Sequence, residues 1–283
     1  MVARIVSTLM LVYASSAYSD VRVMAVNAEW LWTPKDGVAE GDRVRIKDMR
    51  LQDYQEELDY YASLILKSNA DVVAFSEIEN QSVMEDLTTA LGEPWVSYFR
   101  QGRDTATGQD VAIVSRLSVV PGSVTDFNFP AGRLSWNDRG KRLSKVLGAV
   151  FALPNSNEYV AVLTSHFLSR RNDSLKKSNN RLRQANAALI ALQMFDSKIT
   201  KAIVLGDLND VHRSAPIRVL MEEGDLKSMV DSCPPAEQSP MTLLPEPMRQ
   251  IDHILFKGFV CQSKAYYDLG KMSDHYAVWA HLK

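Results

Sequence analysis

Ala202-Ile-Val-Leu-Gly-Asp-Leu-Asn-Asp210 is the stretch on which the reading of this chain turns. Its first four residues form an apolar run of the length of a buried strand. The run breaks at Gly206 and leaves Asp207, Asn209 and Asp210 where a strand would end. Ligands in open α/β sheets sit beyond the carboxyl ends of strands. Side chains at i and i+2 of an extended chain point to one side, so Asp207 and Asn209 are expected to enter one cleft together. There the first takes a proton and the second donates an amide hydrogen bond. A helix N-cap or an Asx turn accounts for the same residues without any chemistry. The other strand ends of the chain decide between these readings.

Moving outward, Val21 to Asn27 reads as a strand that runs out at Asn27-Ala-Glu29, before Trp30 and Trp32, which read as core or cleft wall, with core favoured. Asp71-Val-Val-Ala-Phe-Ser-Glu77 is a second buried strand ending in an acid, with Glu79 two residues on. Val111 to Ser115 is another, opened by Gly108-Gln109-Asp110 and closed by Arg116. Val146 to Leu153 and Tyr159 to Thr164 pair as a hairpin, the second ending at Ser165-His166. Ile251 to Phe256 carries Asp252, and Met272-Ser-Asp-His275 leads into a last strand, Tyr276 to Leu282. Helical spacing covers Leu51 to Lys67 (through Tyr54, Leu58, Tyr61, Ala62, Ile65 and Leu66), Val83 to Leu91, Arg181 to Lys198 and Arg213 to Glu223. Residues 33–50 and the proline-rich 232–250 read as loops. Several strands follow one another directly, without strict βαβ alternation. The pattern therefore predicts an α/β (α+β) fold with a mixed two-sheet core and helices outside, not a Rossmann sheet. No Gly-x-Gly-x-x-Gly and no phosphate-binding P-loop occurs.

Composition sets the frame. The 283 residues are 46% hydrophobic and 23% charged, which is globular. A formal net charge of −2 carries no global basic signature of a nucleic-acid binder. Residues 1–19 read as a secretory signal: Arg4 is the positive n-region, Ile5 to Ala14 the apolar h-region, and Ala17-Tyr18-Ser19 the small-x-small cleavage site. Cleavage would remove Arg4 and take the charge from −2 to −3. A secreted or periplasmic location follows, with no stable membrane insertion, since no later run is long enough to span a bilayer. Residues 20–283 are expected to form one domain. Cys233 and Cys261 can then form one disulfide or remain two buried thiols.

The polar residues that terminate apolar strands are Asn27, Glu77, His166, Asp207 with Asn209, Asp252, and Asp274 with His275. Hard oxygen ligands such as Glu77 suit Mg²⁺ or Mn²⁺. An acid–histidine pair holds an imidazolium against a phosphate. Together these are parts for metal-assisted phosphoester hydrolysis. Taken in order, Asn27, Ser-Glu77-Ile, Val-Ala-Ile-Val-Ser-Arg116, Ser-His166, Gly-Asp207-Leu-Asn209, Ile-Asp252-His-Ile and Ser-Asp274-His275 make a chain that resembles the endonuclease/exonuclease/phosphatase superfamily. That family includes deoxyribonuclease-like enzymes, abasic-site endonucleases, neutral sphingomyelinases and inositol-phosphate phosphatases, and the resemblance covers nearly all of residues 21–283.

The resemblance implies a four-layer sandwich of two packed mixed β-sheets flanked by helices, and it implies roles. Glu77 would bind the metal, with Asn27 and Asp274 near it. Asp207 would align or deprotonate the attacking water, and Asn209 would position water and phosphate. His275, paired with Asp252, would stabilise the transition state, and His166 would touch the phosphate and assist the leaving oxygen. Glu79 competes with Glu77, and Glu29 with Asn27. His253, His212 and His281 read as structural, and Asp210 as a turn residue. Deoxyribonuclease-like members support the His166 equivalent with an acid whose position here falls on Gln109 or Asp110; with Gln109 that support is lost.

The family fixes phosphoester hydrolysis and leaves the substrate open. Residues 100–145 hold eight basic residues against four acidic, and 166–183 hold six against one. Basic rims fit a polyanion gripped by its backbone, with Arg116, Arg170 and Arg171 as substrate contacts. A solvated basic face accounts for the same charges. Trp136 would stack on a base or anchor a loop, and Leu243, Leu244 and Met248 would give a lipid-facing hairpin. The expected activity is a monomeric, Mg²⁺- or Mn²⁺-dependent phosphodiesterase acting on DNA or RNA. The alternatives are a phosphatase or phospholipase C-type enzyme on inositol phosphates or sphingomyelin, and an inactive binding module on the same fold.

Overall fold

The computed structural model describes residues 19–34, 51–102, 109–127, 145–237 and 249–283. In chain order the elements begin β1 (Val21–Leu31), α1 (Leu51–Lys67), β2 (Val72–Ile78), α2 (Gln81–Leu91), β3 (Val96–Arg100) and β4 (Asp110–Ser115). They continue with β5 (Val146–Ala152), β6 (Tyr159–Ser165), α3 (Leu175–Gln193), β7 (Lys201–Asp207), α4 (Ala215–Glu222), β8 (Lys227–Ser228) and α5 (Met229–Ser232). The last are β9 (Asp252–Lys257), β10 (Cys261–Asp268) and β11 (Tyr276–Leu282). Residues 1–18 of the proposed signal segment, Trp136, Leu243, Leu244, Met248 and the basic residues at 103, 133, 139, 141 and 142 lie outside the described residues.

Two mixed sheets form. One has the order β10-β11-β1-β2-β4-β3, the other β5-β6-β7-β9-β8. Each contains one parallel pair, β1 with β2 and β6 with β7, and all other neighbours are antiparallel. Each parallel pair is joined by a helix, α1 or α3, as a parallel crossover requires.

Strand alternation builds the layers. Val72 and Ala74 of β2, with Val23 and Ala25 of β1, face the other sheet and meet Leu147, Val162, Ile203 and Phe256. Val73 and Phe75, with Met24 and Val26, face the opposite way onto α1 and α2. Val204 and Ala202 of β7 face α3 and α4 in the same manner. Both faces of the central strands are thus covered, which is why they read as unbroken apolar runs. The arrangement is helix, sheet, sheet, helix, the expected sandwich. Tyr61 of α1 meets Phe75 edge to face, with centroids 5.7 Å apart. The helical face of α1 uses Leu64, and Leu66 is exposed.

Cys233, after α5, is joined to Cys261 at the start of β10 by a disulfide, with Cα atoms 5.1 Å apart. No described helix is long and apolar enough to cross a membrane.

Candidate active site

The carboxyl ends of both parallel pairs, β1–β2 and β6–β7, lie at one end of the sandwich. Asn27, Glu77, His166 and Asp207 therefore arrive from four strand ends. The antiparallel neighbours bring their starts to the same place: Gln109 before β4, Asp252 opening β9 and His275 before β11. Together they bound a cleft of about 630 Å³ whose lining includes Glu77, His166, Asp207, Asn209, Asp274 and His275.

Local backbone irregularities aim these side chains. Pairing of β1 with β2 shifts register between Asn27 and Leu31, and pairing of β2 with β4 shifts between Ser76 and Ile78. Glu29, Trp30 and Glu77 take the left-handed φ values 44°, 65° and 64°. Such values are rare for these residue types and gather at functional sites. The irregularity at Glu77 turns its carboxylate into the cleft and breaks the i, i+2 equivalence with Glu79. The Glu79 carboxylate instead accepts hydrogen bonds from the Thr33 N–H at 2.6 Å and the Thr33 hydroxyl at 2.5 Å. Trp32 is core, whereas Trp30 lines the cleft, against the expectation that both are core.

On the other sheet, Gly206 has φ 131°, and a Cβ there would come 2.5 Å from the Ser165 carbonyl oxygen. Only glycine lets the ends of β6 and β7 approach so closely. His166 Nε2 consequently lies 3.5 Å from Asp207 Oδ2 and 3.8 Å from Glu77 Oε1. Asp207 and Asn209 do share the cleft, but not as neighbours on an extended chain. Asn209 has φ 50°, its N–H donates to Asp207 Oδ1 at 2.9 Å, and its Nδ2 donates to Asp207 Oδ2 at 3.0 Å. The Asx turn and the cleft placement are one structure. Asn209 Oδ1 accepts the Arg170 N–H at 3.3 Å, which ties the loop after His166 to the same centre.

Asn27 is buried between the two acids. Its Nδ2 donates to Asp207 Oδ2 at 3.0 Å and to Glu77 Oε1 at 3.4 Å, while its Oδ1 accepts the Glu29 N–H at 2.9 Å. Across the cleft, His275 Nδ1 meets Asp252 Oδ2 at 2.6 Å, and Asp252 pairs with Asp207 in the β7–β9 register. Burial would lower the proton affinity of His275, but the Asp252 carboxylate overrides it and raises the value to about 10. The ring is thus an imidazolium at neutral pH. Burial, then the Asp252 charge, push Asp207 well above the ordinary carboxylate range. Burial raises Glu77 likewise. His166 goes the other way: burial, helped by Lys145 and His275, holds it well below the usual value and keeps the ring neutral.

Gln109, not Asp110, faces His166. The Gln109 backbone hydrogen-bonds the ring and its side chain reaches Glu77, while Asp110 Oδ1 accepts the Gly102 N–H at 2.7 Å. The deoxyribonuclease-like acid is therefore replaced by an amide.

Three substrate-contact assignments need correction or refinement. Arg116 follows β4 at the end away from the cleft, because β4 runs antiparallel to β2. It pairs there with Asp71 at 2.7 Å and with Asn69 Oδ1 at 2.6 Å, so it is not a substrate contact. Arg170 contributes its main chain to Asn209, and its guanidinium lies 3.7 Å from Asp173. Arg171 lines the cleft, as do Lys145 and Lys177. Arg181, counted in the basic run, is buried and bridges Asp173 and Asp210, each at 2.8 Å. That bridge makes Asp210 structural. His253 is also packed, with Nε2 2.7 Å from the Asp210 carbonyl oxygen. His212 pairs with Asp231 and His281 with Asp20.

The donor chemistry fits a divalent cation. Glu77 and Asp207 are buried carboxylates that favour a proton for want of solvation, and a hard cation satisfies the same demand. Among the described residues, the ligand atoms that gather within 4.8 Å belong to Asp207, Asp252 and His275. His275 is there as a cation held by Asp252, so this trio is a charge pair beside an acid and not a cage. Glu77 is the buried cleft carboxylate outside that trio and would hold a cation. Asn27 presents its nitrogen to Glu77, and Asp274 stands exposed on the rim, 3.6 Å from His275 Nε2. Sequence reasoning did not single out Lys145 from its basic run, and it ranked the cleft wall second for Trp30; the register irregularity that turns Trp30 inward has no signature in residue type.

A sequence model of the Endonuclease/Exonuclease/phosphatase family matches residues 48–275. No curated protein matches the chain by sequence. Solved structures match by fold. An endonuclease/exonuclease/phosphatase from Bacteroides vulgatus superposes with a TM-score of 0.64 at 18% identity, over 94% of this chain and 99% of that one. A mannosyl-6-phosphatase from Bacteroides thetaiotaomicron gives 0.61 at 16%, over 93% and 99%. The human Nocturnin catalytic domain, solved with a bound sulfate anion, gives 0.59 at 14%, over 94% of each.

Proposed function

The chain belongs to the endonuclease/exonuclease/phosphatase family, whose members hydrolyse phosphoester bonds with the aid of a divalent metal, and from that premise we propose that it is an exported, Mg²⁺- or Mn²⁺-dependent phosphodiesterase acting on nucleic acid. One observation carries the reading: an imidazolium, His275 on Asp252, faces a buried acid, Asp207, across a cleft that also holds Glu77 and the cations Lys145, Arg171 and Lys177.

A cation held by Glu77 would act as a Lewis acid on a phosphoryl oxygen. The chain's own groups do the rest. Asp207, fixed by Asn27 and Asn209, accepts the proton of the attacking water. His275 donates to phosphate oxygens as charge grows on them, and Asp252 holds the ring in place. Neutral His166, beside Asp207 and Glu77, hydrogen-bonds the phosphate. Lys145, Arg171 and Lys177 grip flanking negative charge. The disulfide supports export, since such bonds persist in oxidising compartments.

A second reading has its own support. With Arg116 and Arg181 withdrawn from the substrate surface, the described lysines and arginines that line the cleft are Lys145, Arg171 and Lys177, a close group that suits a small phosphorylated sugar or inositol as well as a polymer. The test is the purified protein with Mg²⁺, assayed in parallel on plasmid DNA, RNA, sphingomyelin and inositol phosphates, with and without chelator. Chelator-sensitive cleavage of DNA or RNA supports the first reading. Turnover confined to inositol phosphates would replace it with the second.

A further inference from the structure

Asp274 and His275 line two cavities, not one. Behind them, away from Glu77 and His166, a second pocket of about 310 Å³ opens beside the start of β9. Its walls include Arg249, Gln250, Asp252 and Tyr276. His275, which would grip the phosphate, therefore stands on a ridge with space on either side.

The second pocket is chemically specific. Gln250 is 6% exposed, and its Nε2 donates to the Asp252 carbonyl oxygen at 2.8 Å. That bond to a carbonyl fixes the amide orientation and leaves the oxygen as the end of the amide without a bond. Gln250 Oε1 is buried and has no hydrogen-bond partner among the described residues. Asp252 Oδ1 is buried and unpartnered as well, although Oδ2 holds His275. Two orphaned acceptors beside one small pocket are unusual, because buried polar atoms are nearly always paired. They call for a ligand that brings hydrogen-bond donors. Arg249 adds a cation at the same pocket, which suits a group carrying further phosphate.

We propose that this pocket is the subsite for a hydroxyl-bearing substituent, a sugar, on the far side of the scissile phosphate, so that the substrate is a diester with one group in each cavity. The inference rests on the phosphoesterase reading of the same site and deepens it. A sugar hydroxyl would donate to Gln250 Oε1, the other substituent would occupy the larger cleft against Trp30, and the phosphate would sit on the ridge.

Three chromogenic esters separate the elements. 4-Nitrophenyl phosphate has one substituent, bis(4-nitrophenyl) phosphate has two without hydroxyls, and thymidine 5′-(4-nitrophenyl phosphate) has two, one a sugar. With Mg²⁺, kcat/KM should rise in that order. Gln250→Met, near in volume but without the acceptor, should lower the ratio of thymidine ester to bis-ester by about fivefold, the cost of one neutral hydrogen bond, mainly through KM. If Gln250→Met fails to fold, Gln250→Asn withdraws the acceptor and should lower the same ratio. An unchanged ratio in the folded variant overturns the subsite, as does a monoester preferred to both diesters. If no ester is hydrolysed at all, the phosphoesterase reading falls, and equilibrium dialysis of thymidine then decides the pocket: weaker binding to Gln250→Met upholds it, and equal or absent binding overturns it.

Discussion

At the scale of the residue, the unit of interest is the short contact between His275 and Asp252. Asp252 keeps the ring charged to about pH 10 against the burial that opposes it. Asp252→Asn should therefore lower kcat by about a hundredfold, in the range of a lost transition-state donor, and change KM less. Its pH–rate profile should lose its alkaline limb at lower pH than the parent enzyme does. His275→Ala should cost at least as much and the double variant little more, since the pair acts as one group; multiplicative losses would show independent action. Glu77 makes a different prediction. Burial penalises its carboxylate, so Glu77→Gln should raise the melting temperature in chelator by a few degrees while abolishing most turnover and the thermal shift on adding Mg²⁺. A melting curve that still responds to Mg²⁺ would move the metal elsewhere. These residues were legible in the sequence because each borders an apolar run, Glu77 after one and Asp252 and His275 before one. Only the motif separated Glu77 from Glu79 there, because the physical separation depends on one backbone angle and not on residue type.

At the scale of the element, the strand ends are held by Gly206. Gly206→Ala would set a Cβ against the Ser165 carbonyl in a backbone region that alanine avoids. It should cost more than about 1 kcal/mol in urea unfolding and lower kcat further than that loss explains, because β6 and β7 carry His166 and Asp207. Activity equal to the parent in the folded variant would show that the close approach is only structural. The strands read in advance were the interior ones and β5, an edge strand buried along nearly all its length. β3, β8 and β10 went unread, and all three are edge strands. An edge strand is paired on one side and half exposed, as the pattern of β10 shows, so it lacks the apolar run that marks a buried strand. Helix α3 begins at Leu175, capped by the Ser174 hydroxyl, and not at Arg181. Its first turns are polar and carry no apolar period, so the cap was their only signal.

At the scale of the whole molecule, stability should respond to redox state and to acid. The disulfide closes 28 residues, which the chain-entropy account values at roughly 3–4 kcal/mol. Denaturation with and without reductant should show a loss of that order, and mass spectrometry without reductant should find no free thiol. His253 adds an acid limb. Burial holds its ring near pH 4, below the unfolded value of about 6.5. The folded state thus binds this proton less readily, and stability falls as pH drops from about 6.5 toward 4. At about 1.4 kcal/mol for each tenfold change in proton affinity, the loss approaches 3 kcal/mol. His253→Gln should lose less stability than the parent between pH 7 and 4.5; an identical loss would place the acid sensitivity elsewhere. Finally, the order in which the chain is made is not its order in space. β11 is made after the other ten described strands, yet it lies inside its sheet, between β10 and β1, and His275 comes just before it. A nascent chain stalled before residue 275 would hold Glu77, His166 and Asp207 and still lack its phosphate grip. On the phosphoesterase reading, hydrolysis should begin only once that strand has taken its place between its two neighbours.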